Sequence, residues 1–401
     1  MTPSPREVIL HIGQHKTGSK ALQFFLAANA RALAARGIYY PQEQEPPGQN
    51  RAYRVSHFRL FALLRRQAML ERGEEEAAQA FGRQTQGACA PFGSLENLLD
   101  AYERRMARGK TRKLLISAED LFDLHTAEET VFEEGRLRAA VSILARLFSA
   151  RGFAARVVVY LRRQDHLLAA HYGQAIKGSG TNHLAFGDFA ARFAPRLRTL
   201  RLLEAWAEVF GPERILARPY EPQALPGGIV PDFFAKVLGF APPAHWRRPA
   251  LDTETVNRTP SRDFIEFMRK LNQRGEEAQR TFPRAWVLRA ALQEPPGAAS
   301  LSDWFTPEAQ KELLDAHEAD NQKIAERFAG LGGQPLFTEA RLVPGPGGAY
   351  AGLTPEKEAA IASRVQRLRL SDRRLRRLWR ALGALALLGL LGFFWEMAKK
   401  P

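Results

Sequence analysis

The residues with the clearest capacity for chemistry lie in one short stretch, HIGQHKTGSKAL, residues 11–22. Gly13 and Gly18 have the spacing of the glycines in the phosphate-binding loop of nucleotide hydrolases, GxxxxGK[ST]. That motif continues with lysine and then a hydroxyl residue, whereas here Ser19 precedes Lys20. This order argues against a loop that holds the β- and γ-phosphates of ATP together with magnesium. The stretch therefore points to a different anion.

Lys16, Thr17 and Ser19 place a cation and two hydroxyl groups on the same loop. A strand-like run precedes the loop, and an amphipathic helical run follows it. Backbone N–H groups at the start of such a helix point toward one spot, where the helix dipole also favours negative charge. Two glycines alone would be typical of a plain strand-to-helix turn. The added lysine and hydroxyl groups favour an anion-binding loop.

Five apolar runs have the length and composition of buried strands, and amphipathic helical stretches separate most of them. These runs are EVILHIG (7–13), GIYYP (37–41), KLLIS (113–117), ARVVVYLR (155–162) and RILARPYE (214–221). Strands that alternate with helices form a mainly parallel sheet with helices on both faces. The sequence therefore predicts an α/β fold of three layers.

The chain has 401 residues and a formal net charge of +15, which favours anionic partners such as nucleotides, acidic glycans or lipid headgroups. Cys89 is the only cysteine, so the chain has neither an intrachain disulfide nor a zinc site built from cysteines. The opening residues MTPSPREVILHIG do not have the form of a secretory signal. We therefore expect the bulk of the chain to be cytoplasmic.

The loop resembles the signature of the sulfotransferase family, approximately HxGxxKTG[ST][ST]xL, and in particular its bacterial members. The residues that fit are His11, Gly13, Lys16, Thr17, Gly18, Ser19 and Leu22. The resemblance implies a P-loop-like fold and a loop that holds the 5′-phosphosulfate of 3′-phosphoadenosine 5′-phosphosulfate (PAPS), with Lys16 neutralising the departing phosphate. It implies that the donor is contacted by His15, Lys16, Thr17, Gly18, Ser19 and Lys20. Lys20 departs from the pattern, which has a hydroxyl residue at that position.

A second stretch, VVVYLRRQDHLLAAHYGQAIK (157–177), resembles the 3′-phosphate-binding element of the same family, in which a strand delivers an arginine and a serine follows eight residues later. Arg162 takes the arginine position, but Ala170 stands where the serine would be. The resemblance implies that Arg162 contacts the 3′-phosphate. For the lost hydroxyl two alternatives stay open: Arg163 or His171 compensates for it, or the affinity for the 3′-phosphate is reduced. An arginine pair at the end of a strand is otherwise typical of a solvated surface. Two such elements, each following a strand, favour a binding site at the carboxyl edge of the sheet.

Sulfuryl transfer to an acceptor oxygen also needs a group that takes the acceptor's proton. Glu119, just after the strand-like run 113–117, is the first candidate for this base, and His57 is the second. A charged residue after a strand is usually solvated and a single histidine is usually structural, which are the alternatives for both. His11 and His15 are four residues apart but lie on either side of a turn, so we expect no metal site.

The chain divides into a sulfotransferase-like domain, residues 1–340, and a C-terminal tail. Within the domain, the weakly patterned region 42–110 is interpreted as a helical insertion or lid. Residues 341–353 are typical of a linker, and residues 354–377 form a basic helix. Residues 378–398 include the uncharged run ALGALALLGLLGFFW and are long enough to cross a membrane. The arginines before this run favour a single C-terminal span with the domain on the cytoplasmic face of the inner membrane, rather than a buried or surface-lying helix.

Together these features predict a membrane-anchored enzyme that transfers a sulfuryl group from PAPS to a hydroxyl or amine of a glycan or glycolipid, without a nucleic-acid partner. Two other classes stay open. A P-loop kinase or nucleotide hydrolase would need lysine and Ser/Thr in the order of its own motif. A non-catalytic nucleotide-binding membrane protein would fit the departures at Lys20 and Ala170.

Overall fold

The computed structural model describes residues 6–42, 55–89, 92–126, 132–249, 260–294, 304–341, 350 and 352–372. Five parallel strands form one sheet flanked by helices, which confirms the predicted α/β class. The strands are β1 (Arg6–His11), β2 (Ile38–Tyr39), β3 (Lys113–Ser117), β4 (Phe153–Leu161) and β5 (Ile215–Pro219). Their order in the sheet is β2-β3-β1-β4-β5, so the first strand of the chain lies in the middle.

The central strand β1 is buried on both of its faces. It pairs with β3, where His11 lies opposite Ser117, and with β4, where His11 lies opposite Val158. Ile9 packs into the core on one side of the sheet, while its neighbours Val8 and Leu10 pack into the core on the other. Because helices cover both sides, burial requires a continuous apolar strand rather than an alternating one.

Fifteen α-helices are described, and three short turns of 3₁₀ or π type accompany them, at Glu119–Leu121, Pro212–Arg214 and Phe234–Leu238. The α-helices are α1 (Ser19–Ala28), α2 (Ala30–Ala34), α3 (Phe58–Glu71), α4 (Glu75–Cys89), α5 (Leu95–Arg108), α6 (Glu134–Ala150), α7 (Gln164–Ser179), α8 (Phe186–Leu197), α9 (Thr199–Phe210), α10 (Ile229–Phe233), α11 (Arg262–Arg274), α12 (Glu276–Thr281), α13 (Arg284–Ala291), α14 (Pro307–Arg327) and α15 (355–372).

Three clusters of buried apolar side chains hold these elements together. The first joins one face of the sheet to α3, α5, α6 and α9. The second joins the other face to α1 and α10 and contains an aromatic group in which Phe25 and Phe234 pack on Trp246. The third lies among the helices α7, α8, α11, α13 and α15. The helices of the third cluster form a separate layer, and α7 is the member of that layer that begins directly after β4.

Region 42–110, interpreted from the sequence as a helical insertion or lid, contains the helices α3, α4 and α5 in its described part. Leu60, Phe61 and Leu64 of α3 are almost completely buried in the first cluster. Helix α3 therefore covers one face of the sheet together with α6.

The basic helix predicted at 354–377 corresponds to α15, which packs on the body of the protein. Ile361 and Val365 are buried in the third cluster, and Glu358 forms ion pairs with Lys270 and Arg274 of α11, each at 2.7 Å. Among the described residues, no helix is both long and apolar enough to span a membrane. The span predicted at 378–398 lies outside the described residues.

Candidate functional site

The carboxyl ends of β1 and β4 lie side by side in the middle of the sheet. The chain leaves β1 toward β2 on one side and leaves β4 toward β5 on the other, so the two connections diverge. A crevice between diverging connections is where open α/β sheets bind ligands. The predicted loop after β1 and the predicted arginine after β4 meet at this place. Arg162 donates its backbone N–H to Gln14 Oε1 at 2.7 Å and its Nη1 to the Lys16 carbonyl at 2.8 Å.

The backbone of the loop adopts a compact conformation that its glycines permit. Gly13, Lys16 and Gly18 all have positive φ angles, of 55°, 68° and 76°, a region that disfavours residues with a Cβ. Gly18 is the residue before α1, and a Cβ on it would lie 2.9 Å from the Tyr220 hydroxyl at the end of β5. The hydroxyl of Thr17 donates to the Gln14 carbonyl at 2.6 Å. This hydrogen bond joins two residues of the loop and holds its compact conformation.

Two buried donors near the loop have no hydrogen-bond partner within the described part of the chain, Ser19 Oγ and Gln14 Nε2. Both side chains are nearly fully buried. Ser19 Oγ lies 3.1 Å from the point where a Cβ on Gly13 would stand, so it faces the inside of the loop. Buried polar groups without partners are costly, and their presence beside a helix N-terminus fits a bound anion.

Lys16 reaches across to the helical layer. Its Nζ donates to Gln174 Oε1 on α7 at 2.6 Å. An amide oxygen orients the ammonium without neutralising it, because the amide carries no net charge. Gln174 therefore orients the ammonium and does not itself neutralise its charge.

Lys20 and Glu119, each predicted to act on the ligands, contact each other. Lys20 Nζ lies 3.0 Å from Glu119 Oε1, and Gln23 donates to Glu119 Oε2 at 2.8 Å. Burial raises the pKa of the Glu119 carboxyl, but the attraction of Lys20 and of His15, with the hydrogen bonds from Lys20 and Gln23, outweighs this effect and leaves the pKa below its usual value. A carboxylate with a lowered pKa is a weak proton acceptor, so this geometry favours an ion-pairing role for Glu119.

His57 lies at the start of α3 and is completely buried. Its Nδ1 accepts the backbone N–H of Ser117 at 2.9 Å, and its Nε2 lies 3.1 Å from the Pro41 carbonyl. Burial lowers the pKa of His57 to about 4. Both ring nitrogens are therefore engaged with backbone, which favours a structural role over that of a base. The contacts of Arg163 also favour a structural role. Its guanidinium donates two hydrogen bonds of 2.9 Å to Asp165 and further hydrogen bonds to the backbone carbonyls of Glu339 and Ala340.

His15 is a buried residue of the loop. It contacts the segment after β3 on one side and α7 on the other. Its Nε2 lies 2.9 Å from the His125 carbonyl, and its ring packs edge-on against His171 at a centroid distance of 5.5 Å. Ala170, which replaces the expected serine, is buried in α7 and supplies no side-chain donor. His171, one residue further on, packs against His15 and, at a centroid distance of 4.5 Å, against Phe193.

The sequence missed several residues that shape the site: Gln14, Gln23, His125, Gln174 and Tyr220. Gln174 could have been found, because it lies three residues after His171 and neighbouring positions of a helix face have this spacing. The role of His125 could not, because it acts through its backbone carbonyl.

The crevice thus collects donors and cations suited to an anion. Arg162 is half-buried, and its guanidinium lies 6.0 Å from the centre of the Tyr220 ring. No group of three or more His, Cys, Asp or Glu side chains in the described ranges is arranged to hold a metal ion. Comparison with protein-family models, with curated proteins and with solved structures finds no match for this chain.

Proposed function

We propose that this protein is a sulfotransferase that moves a sulfuryl group from PAPS to an acceptor hydroxyl or amine, on a P-loop-like fold. The observation that carries the proposal is the contact between two separately recognised elements. The loop that resembles the sulfotransferase signature and the arginine of the 3′-phosphate element are hydrogen-bonded to each other, through Gln14 and Lys16, although about 150 residues separate them.

The residues present fit a phosphorylated donor. The helix N-terminus after Gly18, the hydroxyl of Ser19 and the amide of Gln14 offer donors to a 5′-phosphosulfate, and the two side-chain donors are buried without partners among the described residues. Arg162 donates a hydrogen bond from Nη1 to the Lys16 carbonyl, and its other N–H groups would bind a 3′-phosphate. Lys20 is held by Glu119, so in this proposal it balances that carboxylate instead of contacting the donor.

PAPS, when bound, supplies an activated sulfuryl group on a phosphate leaving group. The chain's own part in the reaction is to orient this donor and to stabilise the charge that forms. Lys16 is placed to neutralise the leaving phosphate oxygen, because its ammonium is oriented by Gln174 without being paired to it as an ion. Thr17 and Ser19 on either side of Gly18 are buried, and a lower local dielectric strengthens such an interaction.

We propose a glycan or glycolipid at the membrane surface as the acceptor. The formal charge of +15 and the apolar run within residues 378–398 support this choice, since both favour an anionic or membrane-bound partner.

Titration of the full-length protein with adenosine 3′,5′-bisphosphate, adenosine 5′-phosphate and ATP with magnesium tests the proposal. We expect the bisphosphate to bind most tightly. Arg162→Gln should weaken it by about tenfold to a hundredfold, the value of a charge-assisted hydrogen bond, and should leave adenosine 5′-phosphate nearly unaffected. Arg192→Gln, an exposed arginine on α8, is the matched control.

Turnover is measured as conversion of PAPS to adenosine 3′,5′-bisphosphate by ion-pair chromatography. Lys16→Ala should lower it by a factor of about 10² or more with bisphosphate affinity reduced far less, because the lysine acts mainly on charge formed in the transition state. Tightest binding of magnesium ATP, or equal losses for both adenosine nucleotides in Arg162→Gln, would contradict the proposal.

A further inference from the structure

The two residues that the sequence offered as proton acceptors are both engaged elsewhere. Glu119 is bound to Lys20 and Gln23, and both ring nitrogens of His57 are bound to backbone groups. A base must reach the proton that it removes and must be deprotonated. Among the described residues around the loop, His15 is a candidate because only one of its ring nitrogens is hydrogen-bonded.

His15 lies next to Lys16 on the loop, and the two side chains contact the same helix. His15 packs on His171, and Lys16 donates to Gln174, three residues further along α7. Positions three apart on a helix are neighbours at about 5–6 Å between Cβ atoms. The imidazole and the ammonium therefore both contact the same stretch of α7.

The hydrogen bond to His125 fixes the tautomer of His15. A carbonyl oxygen only accepts, so Nε2, 2.9 Å away, carries the ring proton. Nδ1 then holds the lone pair, and it makes no hydrogen bond within the described residues. An orienting acceptor on one nitrogen with the other nitrogen open is the arrangement by which histidine acts as a general base.

The groups around the ring keep His15 neutral. Burial lowers the pKa of His15, and the positive charge of Arg196 also lowers it. The opposing effects, which raise the pKa, come from Asp123, Glu119 and the hydrogen bond to the His125 carbonyl. The net result is a lowered pKa. The remaining titratable neighbours are Asp120, with Oδ1 3.7 Å from Nε2, and His171 on α7. Burial and Glu119 raise the pKa of Asp120 well above its usual value, so this carboxyl contributes little charge to attract a proton to His15.

We propose that His15 is the catalytic base and accepts the proton of the acceptor hydroxyl at Nδ1, an inference that rests on the sulfotransferase function proposed above. In the balanced step, the acceptor oxygen forms a bond to sulfur as the bond between sulfur and the phosphate oxygen breaks. The electron pair of the broken bond leaves with the phosphate, beside Lys16. The proton of the hydroxyl moves to Nδ1, while Nε2–H keeps its bond to His125.

His15→Asn and His15→Ala in the full-length protein test this role. We expect both to lower kcat for PAPS turnover by about 10²–10⁴, the usual contribution of a general base, with the affinity for adenosine 3′,5′-bisphosphate changed less than threefold. His183→Gln, an exposed histidine far along the chain, is the control for the loss of an imidazole. Added imidazole should restore part of the turnover of His15→Ala.

The pH profile and the tautomer give independent readouts. The base works only when it is deprotonated, and the pKa of His15 is lowered from the ordinary value. Turnover of the unsubstituted protein should therefore fall on acidification at a pH below about 6.5. In His15→Asn this acid limb, the decline of turnover at low pH, should be lost. Nitrogen chemical shifts of ¹⁵N-labelled histidine, assigned with His15→Asn, should show Nδ1 of His15 unprotonated at pH 7.5.

Two failures are distinguishable. If the unsubstituted protein neither binds adenosine 3′,5′-bisphosphate nor turns PAPS over, the proposed function falls and the role of His15 with it. If it does both and His15→Asn keeps its kcat and its acid limb, or if Nδ1 carries the proton at pH 7.5, the role of His15 alone is overturned.

Discussion

At the scale of single residues, Lys20 and Glu119 show how a departure from a motif is balanced by a second residue. A carboxylate beside an anion-binding loop repels its ligand, and Glu119 lies against Gly13 of that loop. Lys20 stands where the resembling family has a hydroxyl residue, and its ammonium, 3.0 Å away, offsets this charge. Substitution of either residue alone would leave an unbalanced charge, so the two positions function as one unit.

The buried histidines make stability depend on pH. Burial lowers the pKa values of His11 and His57 to about 4 in the folded protein, while the unfolded chain titrates near 6.5. Between these values the unfolded chain binds more protons, so the free energy of unfolding falls as the pH falls. Through these two residues together, lowering the pH from 7 to 5.5 should reduce the free energy of unfolding by about 2–3 kcal/mol.

Urea unfolding at both pH values measures this difference. The variant His57→Gln should reduce the pH dependence by about half of that amount, whereas His245→Gln, at an exposed position, should leave it unchanged. A free energy of unfolding that stays constant down to pH 5.5 would show that these histidines are not buried as neutral groups.

At the scale of elements, the strands were predictable and their neighbours in space were not. All five predicted strands exist, with boundaries shifted by a few residues. The strands β1, β3 and β4 are predictable because each contains an apolar run that is buried on both faces of the sheet. The strand pairings join residues about 60 to 150 apart in the chain. The contacts of Lys16 with Gln174, of Lys20 with Glu119 and of His15 with His125 join residues about 100 or more apart. No periodicity or short motif encodes such contacts, since they depend on which strands become neighbours.

The turn from β1 to α1 depends on glycine at position 18. Gly18→Ala adds a Cβ at a φ of 76° and places it 2.9 Å from the Tyr220 hydroxyl. We expect a loss of about 1–3 kcal/mol in the free energy of unfolding and at least about a tenfold loss in affinity for adenosine 3′,5′-bisphosphate, because the loop must move. Gly37 provides a matched control, since it has a φ of 78° but no atom within 4 Å of its added Cβ.

Gly37→Ala should therefore cost about 1–2 kcal/mol of stability from the backbone alone and leave nucleotide affinity intact. Denaturant unfolding and calorimetric titration measure the two quantities. Equal nucleotide affinities for the two variants would show that the close approach of Tyr220 does not shape the loop.

At the scale of the whole molecule, α15 links the C-terminal tail to the layer that carries α7. The helix buries Ile361 and Val365 in the third cluster, so it is a structural part of the body and not a free linker. Whatever follows α15 is therefore attached to the protein at a fixed place on this layer.

Two truncations separate the roles of α15 and of the segment beyond it. Removal of residues 378–401 should move the protein from the membrane pellet to the soluble fraction, with nucleotide affinity and stability retained. Removal of residues 354–401 also takes away two buried aliphatic side chains, which should lower the free energy of unfolding by about 3–6 kcal/mol. Membrane sedimentation after carbonate extraction and urea unfolding give the two answers. Release of the full-length chain by carbonate would refute a spanning tail, and equal stability of the two truncated chains would refute a structural role for α15.

The central place of β1 sets an order in time for folding during synthesis. Both neighbours of β1 are made later, and β4 ends at Leu161, roughly 150 residues after β1 ends. At about 5–20 residues per second, the ribosome needs on the order of 8–30 s to supply them. Until β3 emerges, about 100 residues after β1, Val8, Ile9 and Leu10 have no neighbouring strand to pair with, and the edge of β1 that pairs with β4 stays open for the whole interval. The nascent chain is therefore exposed to wrong pairing or to capture by a chaperone, and the loop between β1 and α1 cannot take its final shape until the segment carrying Arg162 has emerged.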